Sequence, residues 1–198
     1  MPLETEPFNP LSYDNLAKAV VSELMGRGPF LLPPEHSFVG EGVYAIFYEG
    51  NLPWYAKVSS CAANTPIYVG KASVPGVRKG DTSSKPSKAL HKRLSEHAES
   101  IRCATNLQVD QFRCRYLVVD GVWISLAEEF LIRHYRPVWN CCLDGFGNHN
   151  PGSGRHQGEI TWWDAMHPGR PWATQLRQTK TQQEAVEMVQ NFFLQLQE

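Results

Sequence analysis

Long apolar runs are missing from this sequence: no stretch approaches the roughly 18 consecutive apolar residues that a membrane-spanning helix needs. The start, Met1 to Pro10, lacks the basic region and apolar core of a secretion leader. Both absences lead us to expect a cytoplasmic protein with no membrane partner. Cysteine is scarce and badly spaced for a metal ribbon: Cys61, Cys103, Cys114, Cys141 and Cys142 are odd in number and form no CxxC pair. Reduced thiols suit the same compartment. Net charge is nearly absent too, at -1, so overall charge gives no sign of a nucleic-acid partner. No internal repeat is visible.

What the chain does have is core material and a charge asymmetry. Its 198 residues are 42% hydrophobic with six Trp, enough for one compact domain with long insertions. Residues 1–60 carry three Lys or Arg against seven Asp or Glu, whereas residues 71–115 net +6. Such a segment suits a phosphate-facing strip, and equally a solvated helix face.

Periodicity and punctuation predict the elements. Ser12 precedes a helix over 13–25 that Gly26 stops, and Pro29, Pro33 and Pro34 force an extended connection. Residues 42–48 (GVYAIFY) and 66–70 read as a hairpin or two adjacent strands, with a long Gly/Pro/Ser-rich loop, 72–87, after them. A helix over 88–101 with Ser87 as cap, a strand over 112–119 and a helix over 122–135 complete a β-β-α-β-α order. Beyond Asn140 the run GFGNHNPGSGRHQG reads as too glycine-rich and polar to pack. The last helix, 181–196, aligns Ala185, Met188, Val189, Phe192, Phe193 and Leu196 on a face suited to core or dimer contact.

Two helices carry ionisable groups on apolar faces. In 88–101 the stripe Leu90, Leu94, Ile101 passes through His97, and Arg93 lies one turn earlier. A satisfied core histidine beside a snorkelling arginine explains this as well as a catalytic pair does. In 122–135, Glu128 shares a face with Ile124, Leu131 and Tyr135, yet Glu129 is the alternative carboxylate and the period does not separate them. An inward carboxylate needs a partner, and a divalent cation is one.

Read together, Gly42-Val43-Tyr44, Tyr68-Val69-Gly70, Arg93 with His97, Glu128 with Leu131 and Ile132, and Pro137 with Trp139 and Asn140 resemble the GIY-YIG nucleases over residues 41–141. The tail Gly145-Phe146-Gly147-Asn148-His149 and the motif His167-Pro168-Gly169-Arg170 are similar to those of the Type II restriction endonucleases in that superfamily, especially enzymes cutting CCGCGG. The resemblance implies an α+β fold: a small, mainly antiparallel three-stranded sheet flanked by helices. It divides one domain, 1–198, into a catalytic core, 41–141, an N-terminal extension, 1–40, and a C-terminal recognition and dimerisation extension, 142–198.

It also implies chemistry. Glu128 would hold Mg²⁺, with Mn²⁺ as a substitute, and Arg93 would neutralise the scissile phosphate. His97 would polarise Tyr44, Tyr44 would deprotonate water, Tyr68 would orient water or phosphate, and Asn140 would brace the site. Lys71 would contact phosphate or assist the base. Without the family, two strand tyrosines are ordinary core residues with hydrogen-bonded hydroxyls. Base or phosphate contacts would come from Arg78, Lys79, Lys85, Arg155 and Arg170. Cleaving both strands of a palindrome implies a homodimer on double-stranded DNA, with a cognate DNA methyltransferase in the same system. Asn148, His149 and His156 could suggest an HNH-like metal site, but its flanking strand and helix are missing. The rival functions are a structure-specific or mobile-element nuclease of the same superfamily, and a DNA-binding protein that does not cleave.

Overall fold

The computed structural model describes residues 9, 11–73, 87–150 and 158–196. Helix α1 (Tyr13–Met25) is capped by Ser12, whose Oγ accepts from the Asn15 amide at 3.3 Å. Strand β1 (Phe30–Leu31) follows, then β2 (Gly42–Tyr48) and β3 (Tyr68–Ala72). Helix α2 (Ala89–Cys103), strand β4 (Phe112–Val118) and helix α3 (Gly121–Tyr135) finish the central part. The strands lie in the order β1-β4-β2-β3, every neighbouring pair antiparallel. The sheet therefore has four strands where the motifs predict three. The added strand is two residues long between prolines, too short to show any alternation.

Strand β2 is buried along its whole length because both faces of the sheet are covered. Its side chains alternate between two cores. Val43, Ala45 and Phe47 join Leu24 of α1 and Ile124, Ala127 and Leu131 of α3. Tyr44, Ile46 and Tyr48 face Leu90, Leu94, Ala98 and Ile101 of α2. Arg115 of β4, 6% exposed, seats α1 on the sheet by donating to the Met25 and Arg27 carbonyls at 2.8 and 2.7 Å. A positive group there complements the negative end of α1. Gly42 begins β2 at a φ of 154°, and a methyl group on it would strike the Leu117 carbonyl.

The C-terminal part adds α4 (Val138–Cys141), α5 (Trp162–Met166) and α6 (Gln182–Gln195). Thr181 and Glu184 close a capping box on α6. Its Ala185, Val189, Phe192 and Phe193 enter the same core as Tyr44 and Trp139, joined by Trp163 and Met166. Of the two uses open to that apolar stripe, core packing is the one these residues serve, while Leu196 stays 38% exposed. The glycine-rich tail also differs from expectation, for Phe146 is 1% exposed within this core. One large aromatic anchors a segment whose polar neighbours hide it. Among the described residues, no helix is long and apolar enough to cross a membrane.

Candidate active site

Antiparallel pairing of β2 with β3 sets Tyr44 opposite Gly70. The close approach requires glycine, since a methyl group at position 70 would collide with the Tyr44 hydroxyl. That hydroxyl reaches across to α2 and lies 2.6 Å from His97 Nε2, in a buried contact. Tyr68 completes an aromatic triangle, its ring centroid 5.1 Å from His97 and 6.3 Å from Tyr44. On the far side Phe146 stacks on the His97 ring at 4.5 Å with 18° between planes.

Burial dominates the electrostatics of this group. It raises the Tyr44 phenol well above its ordinary value, reinforced by Tyr68 and opposed by the Arg93 charge. It lowers His97 well below the usual histidine range, and the charges of Arg93 and Arg170 act in the same direction. The pair is thus a neutral phenol and a neutral imidazole sharing one hydrogen bond, in which Tyr44 donates when the proton of His97 sits on Nδ1. Tyr68 is raised as well, mainly by burial, while Arg93 pulls it down.

Around this centre sit four charged groups, Arg93, Glu96, Lys71 and Glu128. Arg93 donates through Nη2 to the Gly147 carbonyl at 2.6 Å and through Nη1 to Glu96 at 3.1 Å. Glu128 is not carried into the apolar interior. Its side chain, 23% exposed, pairs with Lys71 Nζ at 2.9 Å, because strand β3 presents Lys71 beside α3. Lys71 also donates to Ser125 Oγ at 3.2 Å. Glu129, the other candidate, is 60% exposed and faces Arg133 instead. Asn140 of α4 clamps the β3 backbone, accepting from the Val69 amide and donating to the Val69 carbonyl, both at 2.8 Å. Its clamp lies between Tyr68 and Gly70.

Arg170 departs from its expected place at DNA. It is 2% exposed and grips Asp164 with two bonds of 2.6 and 2.7 Å, while also donating to the Gly145 carbonyl at 2.9 Å. Its guanidinium lies over the rings of Trp163 and Trp172. A guanidinium enclosed and engaged in this way has no edge left for a guanine. Arg78, Lys79, Lys85 and Arg155 lie outside the described residues, as does His156.

Sequence reasoning passed over a second tyrosine–histidine pair. Trp139 Nε1 donates to Tyr55 Oη at 2.8 Å, and Tyr55 Oη lies 2.6 Å from His167 Nε2. His167 Nδ1 is 2.9 Å from Asn106 Oδ1, whose amide nitrogen donates to the Met166 carbonyl at 3.0 Å. Burial lowers His167 to about 3, so it is neutral, accepting from Tyr55 and donating to Asn106. His167 stood in a quoted motif, but nothing in Tyr55 or Asn106 announces their part in the chain of bonds. Glu96, Phe146, Gly147 and His149 likewise carried no signal of their closeness to Arg93 and His97.

Among the described residues no three His, Cys, Asp or Glu side chains gather as metal ligands. Of the two carboxylates near the site, Glu96 lies on Arg93 and Glu128 has one oxygen on Lys71.

The family described as the Eco29kI GIY-YIG domain matches residues 36–193, a span that includes the sheet strands β2 to β4 and continues through α5 into α6. No curated protein matches the chain. With well over half its length matched, the chain belongs to the Eco29kI GIY-YIG domain family, the restriction endonuclease branch of the GIY-YIG nucleases that act on DNA.

Proposed function

We propose that this nuclease is a Type II restriction endonuclease that hydrolyses double-stranded DNA at a short GC-rich palindrome, CCGCGG by resemblance, using Mg²⁺ or Mn²⁺. The observation that carries the chemistry is the buried 2.6 Å bond from Tyr44 to His97, with Tyr68 and Arg93 beside it. A hydrolytic step needs a proton acceptor for water, charge neutralisation at the phosphoryl oxygens and help for the leaving group.

Tyr44 alone is a poor base, because its buried phenol resists ionisation. Coupled to His97 it need not ionise. As the water oxygen bonds to phosphorus, the water proton passes to Tyr44 Oη and the original phenolic proton passes to His97 Nε2. The bond from phosphorus to the 3′ oxygen breaks, and that oxygen leaves with the electron pair and is protonated from solvent. His97 ends as an imidazolium in a site that disfavours it, so it returns its proton readily. Arg93 offers its fork to the non-bridging oxygens, Tyr68 orients water or phosphate, and Asn140 keeps Val69, and with it Tyr68, in register.

Glu128 suits Mg²⁺, a hard ion that often takes one or two carboxylates and completes its shell with water and substrate phosphate. Its second oxygen has no partner among the described residues, and Lys71 orients the first. When bound, the ion would neutralise charge on the phosphate and on the departing 3′ oxygen. A two-fold palindrome fits a homodimer with one site per strand, and a restriction enzyme of this type operates with a cognate DNA methyltransferase. Base reading would fall to Arg78, Lys79, Lys85 and Arg155.

The test is digestion of plasmid and phage DNA by purified protein with Mg²⁺, followed by sequencing of the ends. Discrete fragments with a common palindrome are expected, and none with EDTA. Loss of at least a hundredfold in cleavage is expected for Tyr44→Phe and Glu128→Ala, on the order of the effect of removing a group that acts in the transition state. Intact cleavage by either variant refutes the mechanism, and random nicking refutes the restriction assignment.

A further inference from the structure

The Arg93 guanidinium is held by Glu96, which none of the motifs contains, and by Gly147 and His149 of the tail motif, to which the resemblance gave no role. Nη1 lies 3.1 Å from Glu96 Oε2 and is also in hydrogen-bond contact with His149 Nε2, while Nη2 lies 2.6 Å from the Gly147 carbonyl. His149 Nδ1 is 3.9 Å from the same Glu96 oxygen. Glu96 comes from α2 and His149 from the C-terminal tail, so two distant parts of the chain close on one side of the arginine.

The donor count gives this contact its meaning. A guanidinium has five N–H bonds and no acceptor, so an imidazole nitrogen in contact with it must be the acceptor. His149 is therefore neutral there, its proton on Nδ1, the nitrogen turned toward the Glu96 carboxylate. Glu96, His149 and Gly147 occupy three of the five hydrogens. The hydrogens left over interact with the Tyr44 and Tyr68 hydroxyls at the centre of the site, where the oxygens of a bound phosphate would take them up.

We propose that His149 and Glu96 are positioning residues that lock the Arg93 fork so that its remaining donors, beside Tyr44 and Tyr68, are presented to the scissile phosphate. The inference rests on the role given to Arg93 under the proposed function. Arg93 is flexible in isolation, and a fork fixed before substrate arrives reacts without having to find its orientation. The tail thereby completes the nuclease site as well as bordering it.

The experiment compares wild type, His149→Ala, His149→Gln and Arg93→Ala in single-turnover cleavage of supercoiled plasmid with Mg²⁺. DNA affinity is measured separately with Ca²⁺ in place of Mg²⁺. His149 is 64% exposed, so its removal should leave the urea midpoint in place. The expected result for His149→Ala is a roughly ten- to hundredfold slower cleavage step at unchanged DNA affinity. His149→Gln, whose amide oxygen can accept from Arg93, should recover most of that rate. Wild-type or faster cleavage by His149→Ala overturns the inference, as does equal loss in the Gln variant or a loss confined to DNA affinity. If Arg93→Ala also cleaves normally, or wild type does not cleave, the parent reading falls together with it; an inactive Arg93→Ala beside a fully active His149→Ala overturns this inference alone.

Discussion

At the scale of single residues, the clearest signals were those that broke a pattern. His97 interrupts the stripe of Leu90, Leu94 and Ile101, and the structure puts it in that buried face, bonded to Tyr44. Glu128 and Glu129 shared a nearly uniform apolar helix, where the period carries no preference, so only the family resemblance singled out Glu128, and the structure sets Lys71 beside it. Arg170 shows the opposite failure, because a charged residue near a glycine and a proline reads as surface. Its partner, Asp164, is itself 1% exposed. Removing one member of such a pair leaves the other charge buried and uncompensated. Arg170→Ala should therefore cost about 3–5 kcal/mol of stability, seen as a large fall in the urea midpoint. A DNA contact would leave the midpoint alone and weaken binding, and that outcome would restore the discarded role.

Among the elements, length decided legibility. Helix α1 and strand β2 match their expected limits, and α2, α3, β4 and α6 differ by one or two residues at an end, as helix and strand ends commonly do. Strand β1 and helices α4 and α5 are two to five residues long, shorter than any period can declare. Yet α4 holds Asn140, and its neighbour Trp139 begins the bonded chain through Tyr55 to His167. That chain ties α4, the turn at 53–55 and the end of α5 together across more than a hundred residues of sequence. Tyr55→Phe leaves the Trp139 and His167 nitrogens without their common partner in a buried place. We expect a loss of about 1–3 kcal/mol in urea unfolding. A double-mutant cycle with His167→Leu should show the two losses to be less than additive; strict additivity would mean the hydrogen bonds are not shared as drawn.

For the whole molecule, the tail and the nuclease core share one aromatic interior, and this sharing predicts a response to acid. His97 and His167 both sit in it uncharged, each lowered by burial, His167 to about 3. At pH 7 neither the folded nor the unfolded chain carries much charge at these sites. Below about 6.5 the unfolded chain takes up protons that the folded chain refuses, so folding loses free energy as pH falls. The stability is thus full above the unfolded value and drains away toward the folded one. For His167 the loss between pH 6.5 and 5 is about 2 kcal/mol, and His97 adds to it with the same sign. Carboxylates with ordinary values titrate mostly below this window, so histidines should dominate it. Urea midpoints measured at pH 7 and pH 5 should differ clearly in the wild type. In His167→Gln, which can accept from Tyr55 and donate to Asn106 without titrating, the difference should shrink by the His167 share. An undiminished difference would show that His167 is charged in the folded chain, and the neutral network that joins tail to core would have to be redrawn.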